Sequence, residues 1–160
     1  MSLGVVETRI VEPKPALYVT RTTTAVGISD AIDVGFGECF AIHSRAGLTM
    51  TGPPFCRYRT WSKEGGTIEC GITVLAVDVV DPPGEFGTLG GCTCAIVTLT
   101  GNYDGIMGAY QAIKDWAQSS NATLLDAPWD LYLTDPSKEP DNSKWITEIY
   151  WPIAEDGRAK

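Results

Sequence analysis

Apolar positions follow two rhythms along this chain, and the rhythms alternate. Residues 17–24 and 93–100 are rich in Thr, Val and other strand-favouring residues. After the first run, Ile28, Ile32, Phe36, Cys39, Phe40 and His43 recur at three- and four-residue spacing. After the second, Ile106, Ala109, Tyr110, Ile113, Trp116 and Ala117 do the same. That spacing predicts two amphipathic helices, one capped near Ser29 and one opening after Asn102. Proline at Pro53-Pro54 and at Pro128 ends both helical stretches. Residues 55–60 with 67–74, and 129–134 with 145–153, then read as hairpin-like strand pairs.

The chain is thus written twice, each half as strand, helix, strand, strand. At an offset of 74 residues, Gly27 falls on Gly101, Ile32 on Ile106, Phe36 on Tyr110, Pro54 on Pro128, Phe55 on Trp129, Tyr58 on Tyr132 and Thr60 on Thr134. A longer loop in the second half moves the offset to 79, where Ile68-Glu69 meets Thr147-Glu148 and Val74 meets Ile153. The reading is an α+β fold, a duplicated strand–helix–strand–strand module with an antiparallel sheet and two long helices over one face. One domain is expected from two pseudo-symmetric modules (about residues 5–78 and 85–153), joined through 78–90, with a tail at 154–160. Two modules side by side would leave a central groove, where pockets favour forming.

Composition narrows the function. Of 160 residues, 44% are hydrophobic and the net charge is −8, with no cluster of Lys and Arg to hold a phosphate backbone. No direct nucleic-acid partner is expected, and the residues before the first strand are too few for a helix-turn-helix. No window reaches the roughly 18 apolar residues of a membrane span. The start lacks the pattern of a signal peptide, so a cytoplasmic protein with reduced thiols is expected. Cys39, Cys56, Cys70, Cys92 and Cys94 are scattered, and Cys92-Thr93-Cys94 has the wrong spacing for a zinc knuckle, so these read as small core residues. His43 has no second histidine to share a metal with, and reads as a satisfied, partly buried side chain. Neither metal nor cofactor is expected.

Period two places Tyr58 with Thr60, and Tyr132 with Thr134, on single strand faces. On the last strand of each module, Glu69 and Glu148 alternate with apolar neighbours, and Tyr150 points the same way as Glu148. A carboxylate among tyrosines and tryptophans is costly to bury unless paired, and it suits a flat organic cation, which charge and ring faces both attract. The alternative is a solvent-exposed Glu148, or one bridged to Arg57 or Arg59.

The second half resembles the GyrI-like small-molecule-binding domain, which also forms the effector-binding part of multidrug-sensing AraC- and MerR-type transcription regulators. The resembling segments are Leu99-Thr100-Gly101-Asn102-Tyr103-Asp104, Ala109-Tyr110-Gln111-Ala112-Ile113 with Trp116, Asp130-Leu131-Tyr132-Leu133-Thr134-Asp135-Pro136, and Trp145 to Ile153. The first half is similar more weakly, through Pro54-Phe55-Cys56-Arg57-Tyr58 and Glu69-Cys70-Gly71-Ile72-Thr73-Val74. Asn102 stands where the family often has proline, and residues 61–66 match no family feature. The resemblance implies a duplicated fold with a central groove, where an acidic residue on the last strand receives lipophilic cations between aromatic rings. Glu148 matches that position. Tyr58, Tyr132 and Tyr150 are the pocket candidates, Glu69 is the repeat partner, and Trp61, Trp116 and Trp151 are weaker candidates whose default is structural. The partner implied is a small cationic aromatic molecule, and a homodimer is compatible. Two other readings stay open: a hydrolase of cyclopropanoid or similar genotoxic compounds with Glu148 activating water, and a protein-interaction regulator like the gyrase inhibitors.

Overall fold

The computed structural model describes residues 2–75 and 84–155. Among them the chain runs β1 (Ser2–Leu3), β2 (Glu7–Val11), β3 (Lys14–Thr24), α1 (Ile28–Ala46), β4 (Phe55–Ser62), β5 (Gly65–Thr73), β6 (Glu85–Leu89), β7 (Cys92–Thr100), α2 (Ile106–Ser120), β8 (Trp129–Tyr132) and β9 (Ile146–Pro152). Two 3-10 turns, Tyr103–Gly105 and Asn142–Lys144, precede α2 and β9. The chain divides into two compact units, residues 12–91 and residues 1–11 with 92–160. Residues 78–83 of the expected join and 156–160 of the expected tail lie outside the described residues.

Residues 12–91 form an antiparallel sheet in the order β6-β3-β5-β4, with α1 packed on β3 and β5. In the other unit β1 and β2 lie end to end along one edge of β7, β7 pairs with β9, β9 with β8, and α2 packs on β7 and β9. Each unit is therefore α+β with the same wiring: an outer edge, the first strand, the last strand and the third element. The edge strands β2 and β6 escape the hydrophobic pattern because they pair on one side only. Their charged residues, Glu7, Arg9 and Glu85, suit an edge.

The hydrogen bonds carry the repeat more firmly than the residue types do. Met50 bridges Val74, and Leu124 bridges Ile153. Thr49 C=O accepts from Leu75 N–H at 3.0 Å, as Thr123 C=O does from Ala154 N–H, also at 3.0 Å. Thr51 N–H donates to Thr73 C=O and Leu125 N–H to Pro152 C=O, both at 2.8 Å. Every one of these pairs obeys the offsets 74 and 79. The first strands correspond at 78 instead, since Val74 N–H donates to Pro15 C=O and Ile153 N–H to Thr93 C=O. The sequence alignment of 17–24 with 93–100 is thus two residues out, a slip that keeps every side chain on its face and so leaves the pattern intact.

The helices differ from expectation in detail. α1 is capped at Gly27 rather than near Ser29, and Thr24 Oγ1 accepts from Gly27 N–H at 3.1 Å. It buries Gly35, Cys39 and Ile42 instead of the bulkier line through Phe36 and Phe40, and Phe40 stays 37% exposed. The reason is close approach: a Cβ on Gly35 would stand 2.5 Å from Cys70 Sγ on β5. α2 buries Ala109, Ile113 and Ala117 as the spacing indicates. Both helices end in a left-handed residue, Gly47 (φ 67°) and Asn121 (φ 60°), types that tolerate this conformation. Under α1 the core is Leu17, Cys39, Ile42, Ile72 and Val74. Under α2 it is Ala95, Val97, Leu99, Ala109, Ile113, Ile149 and Ile153. Residues 61–66 extend the β4–β5 hairpin, with Trp61 opposite Gly66 and Ser62 opposite Gly65.

Candidate functional site

Register fixes which side chains share a face. Ile149 of β9, and Ile153 just beyond its end, join the core beneath α2, so Glu148 and Tyr150 point to the opposite face. Cross-strand pairing adds Trp129 opposite Tyr150 and Leu131 opposite Glu148 from β8, and Thr98 and Ile96 from β7. Trp129 and Tyr150 stack with ring centroids 5.1 Å apart and planes at 5°. Both are buried, whereas Glu148 is half-buried and accepts a hydrogen bond from the Tyr150 hydroxyl at 2.7 Å. Burial, and then the Glu148 carboxylate through its hydrogen bond and charge, push the Tyr150 phenol well above its usual range. Arg9, on β2 opposite Cys94, opposes that shift and is itself paired with Glu7 at 3.3 Å.

The repeat partner of Glu148 has a different fate. Glu69, 5% exposed, accepts from Arg57 Nε at 2.7 Å and from Arg59 Nε at 2.8 Å, one arginine on each oxygen. Arg57 also donates to Thr88 C=O at 2.8 Å and lies over the Tyr18 and Phe55 rings, 5.7 and 5.6 Å from their centroids. At the offset of 74 residues, Arg57 becomes Leu131 and Arg59 becomes Leu133. Arg57 opposes Glu69 in β4–β5 just as Leu131 opposes Glu148 in β8–β9. The first carboxylate is neutralised within its unit. Among the described residues, no ion pair reaches the second.

The remaining candidates meet other neighbours. Tyr132 opposes Thr147 and so turns to the α2 face, away from Glu148. There its hydroxyl and that of Tyr110 donate to Asp130, at 3.1 and 2.7 Å, and Asp130 has no exposed surface. Tyr103 stands 5.6 Å from the Tyr132 ring and 4.9 Å from Trp145. Trp116 and Trp151 pack against the α2 core, and Trp151 Nε1 donates to Leu125 C=O at 2.7 Å. In the other unit Tyr58 meets Trp61 edge to face at 5.5 Å, because a bulge after Tyr58 restores Trp61 to the same face; Trp61 is 43% exposed.

Sequence reasoning missed Trp129, Leu131 and Asp130. Period two carried the signal, since Asp130 must share the face of Tyr132, and Leu131 replaces Arg57 across from a glutamate. Of the cysteines, Cys92 alone is part-exposed and the rest are buried. His43 is part-buried, as expected, and its Nε2 meets no partner among the described residues. Among the described residues no group of three or more His, Cys, Asp or Glu is placed to hold a metal ion, and no helix is long and apolar enough to cross a membrane.

A family model described as GyrI-like small molecule binding domain matches residues 6–154. Solved structures with the same fold include a complex of EcmrR with DNA, at TM-score 0.82 and 19% identity over 94% of this chain and 57% of that one. The chain therefore spans little more than half of that relative. SAV2435 bound to tetraphenylphosphonium follows at 0.67 and 12%, covering 94% of both chains. A hydrolase from Listeria innocua gives 0.63 and 15%, over 94% of this chain and 92% of that one. At such identities the likeness establishes the fold alone. No curated protein matches the chain.

Proposed function

The chain belongs to the GyrI-like small-molecule-binding domains, and from that premise we propose that it binds lipophilic, cationic aromatic compounds with Glu148 as the anchor. The observation that carries the proposal is the divergence of the two repeat-related glutamates. Where Glu69 meets two arginines, Glu148 meets leucine and the stacked Trp129–Tyr150 pair. A half-buried carboxylate with no ion-pair partner among the described residues is expensive, and a cation arriving beside it recovers attraction that water no longer supplies. The adjacent rings add dispersion and cation–π attraction for a flat or ring-bearing cation. Tyr150 holds the carboxylate in position by its hydroxyl. Tetraphenylphosphonium, the ligand in the SAV2435 structure, is a compound of this chemistry.

The net charge of −8 favours cations over anions in the same way and supports the expectation that duplex DNA is not a direct partner. A hydrolase among the structural relatives supports a second reading, in which Glu148 activates water against a bound planar substrate. A thermal-shift panel of quaternary amines, phosphonium salts and neutral aromatics tests the main proposal. A cation at 100 times its dissociation constant should add about 2.7 kcal/mol of apparent stability. A panel in which only neutral or anionic compounds stabilise the protein overturns it.

A further inference from the structure

Cys92 and Cys94 stand two apart at the start of β7, on one face, with their sulfurs 3.6 Å apart. Cys94 is buried, while Cys92 is part-exposed and opens the strand. Gly90 and Gly91, both with positive φ (91° and 81°), precede it and give the backbone latitude. Cys92 pairs with Val11, the last residue of β2, and Cys94 pairs with Pro152, the last of β9, so the thiols occupy the corner where both ladders end. A direct disulfide fits poorly. Residues two apart on a strand have Cα atoms about 6.7 Å apart, near the ~6.8 Å upper limit for a disulfide. One inserted atom relieves that strain: two sulfurs each ~2.3 Å from a pyramidal centre, with an angle of about 100° between them, stand about 3.5 Å apart. The remaining cysteines, Cys39, Cys56 and Cys70, are wholly buried. No third ligand joins the pair among the described residues, so the centre must bring its own remaining groups.

We propose that Cys92 and Cys94 form a dithiol site for a thiophilic centre that takes two sulfurs at one atom, of which a monosubstituted trivalent arsenical is the fitting type. With an arsine oxide, two As–S bonds form, the As=O bond breaks, and the oxygen leaves as water with both thiol protons. No oxidation state changes. This site does not depend on Glu148, and Glu148→Gln should leave it intact.

The probe is phenylarsine oxide at one equivalent on the native full chain, read by intact mass and by mapping of the adduct after proteolysis. The expected result is one adduct per chain, bridging Cys92 and Cys94, resistant to excess monothiol and stripped by a dithiol. Cys92→Ser should abolish it and Cys56→Ala should not. An adduct that persists in Cys92→Ser, maps to another cysteine in the wild type, or never forms overturns the proposal.

Discussion

Glu69 and Glu148 show how one substitution across a ladder changes what a carboxylate does. The Arg57–Glu69 pair is buried, so removing one member strands the other without water. Arg57→Leu, which copies Leu131, should cost about 3 kcal/mol in urea unfolding, near the low end of the range for broken buried pairs because Arg59 still faces Glu69. The double change Arg57→Leu with Glu69→Leu should recover much of that loss. Equal losses in single and double variants would show that packing, and not the stranded charge, sets the cost. The Cys39 thiol supplies a pH dependence. Burial pushes it up to about 11 from an ordinary 9.0, and the charge of Cys70 adds to the rise. Between those values the unfolded chain has released a proton that the native chain keeps. Its contribution is therefore fully present below about pH 9 and lost as pH climbs toward 11. From about pH 9 to about pH 11 the unfolding free energy should fall by no more than about 2–3 kcal/mol from this group, and Cys39→Ala should flatten the slope. A slope unchanged by that variant would assign it to other groups, such as the raised phenol of Tyr150.

At the scale of elements, α1 owes its orientation to a glycine. Gly35→Ala would place a methyl 2.5 Å from Cys70 Sγ and 2.9 Å from its Cβ, forcing α1 off β5. The expected cost is about 1–3 kcal/mol by chemical denaturation, the usual range for overpacking. Gly37→Ala, where an added Cβ meets nothing within 4 Å, should be neutral or slightly stabilising. Equal effects would remove close approach as the reason for the buried face. The same contact explains what the sequence could not convey. Periodicity located both helices and the strand pairs, but it chose the bulky line through Phe36 and Phe40, because no one-dimensional pattern weighs a clash with another element. The edge strands β2 and β6 were illegible for a related reason, as strands paired on one side need no alternation. The site was half legible. Glu148 and Tyr150 share a face, as alternation indicates, yet Tyr132 belongs to the other face, which only register decides. Leu131 and Leu133 in place of two arginines could have been read from the repeat itself.

For the molecule as a whole, one of two repeat-related carboxylates has no ion-pair partner among the described residues, and the proposed role is that a ligand's charge completes it. Tetraphenylphosphonium and tetraphenylborate have nearly the same shape and opposite charge, so together they separate charge from hydrophobic contact. The decisive measurement is a calorimetric titration of both ions into the wild type and Glu148→Gln. The wild type should bind the phosphonium and discriminate against the borate. In Glu148→Gln the phosphonium should weaken by about 1–3 kcal/mol, the scale of a lost charge-assisted contact, or roughly 5- to 150-fold. The borate should be unchanged or improved, and the unfolding free energy nearly unaltered. Phosphonium binding that is indifferent to Glu148→Gln, or an equal weakening of both ions, would contradict the claim that this carboxylate organises the site.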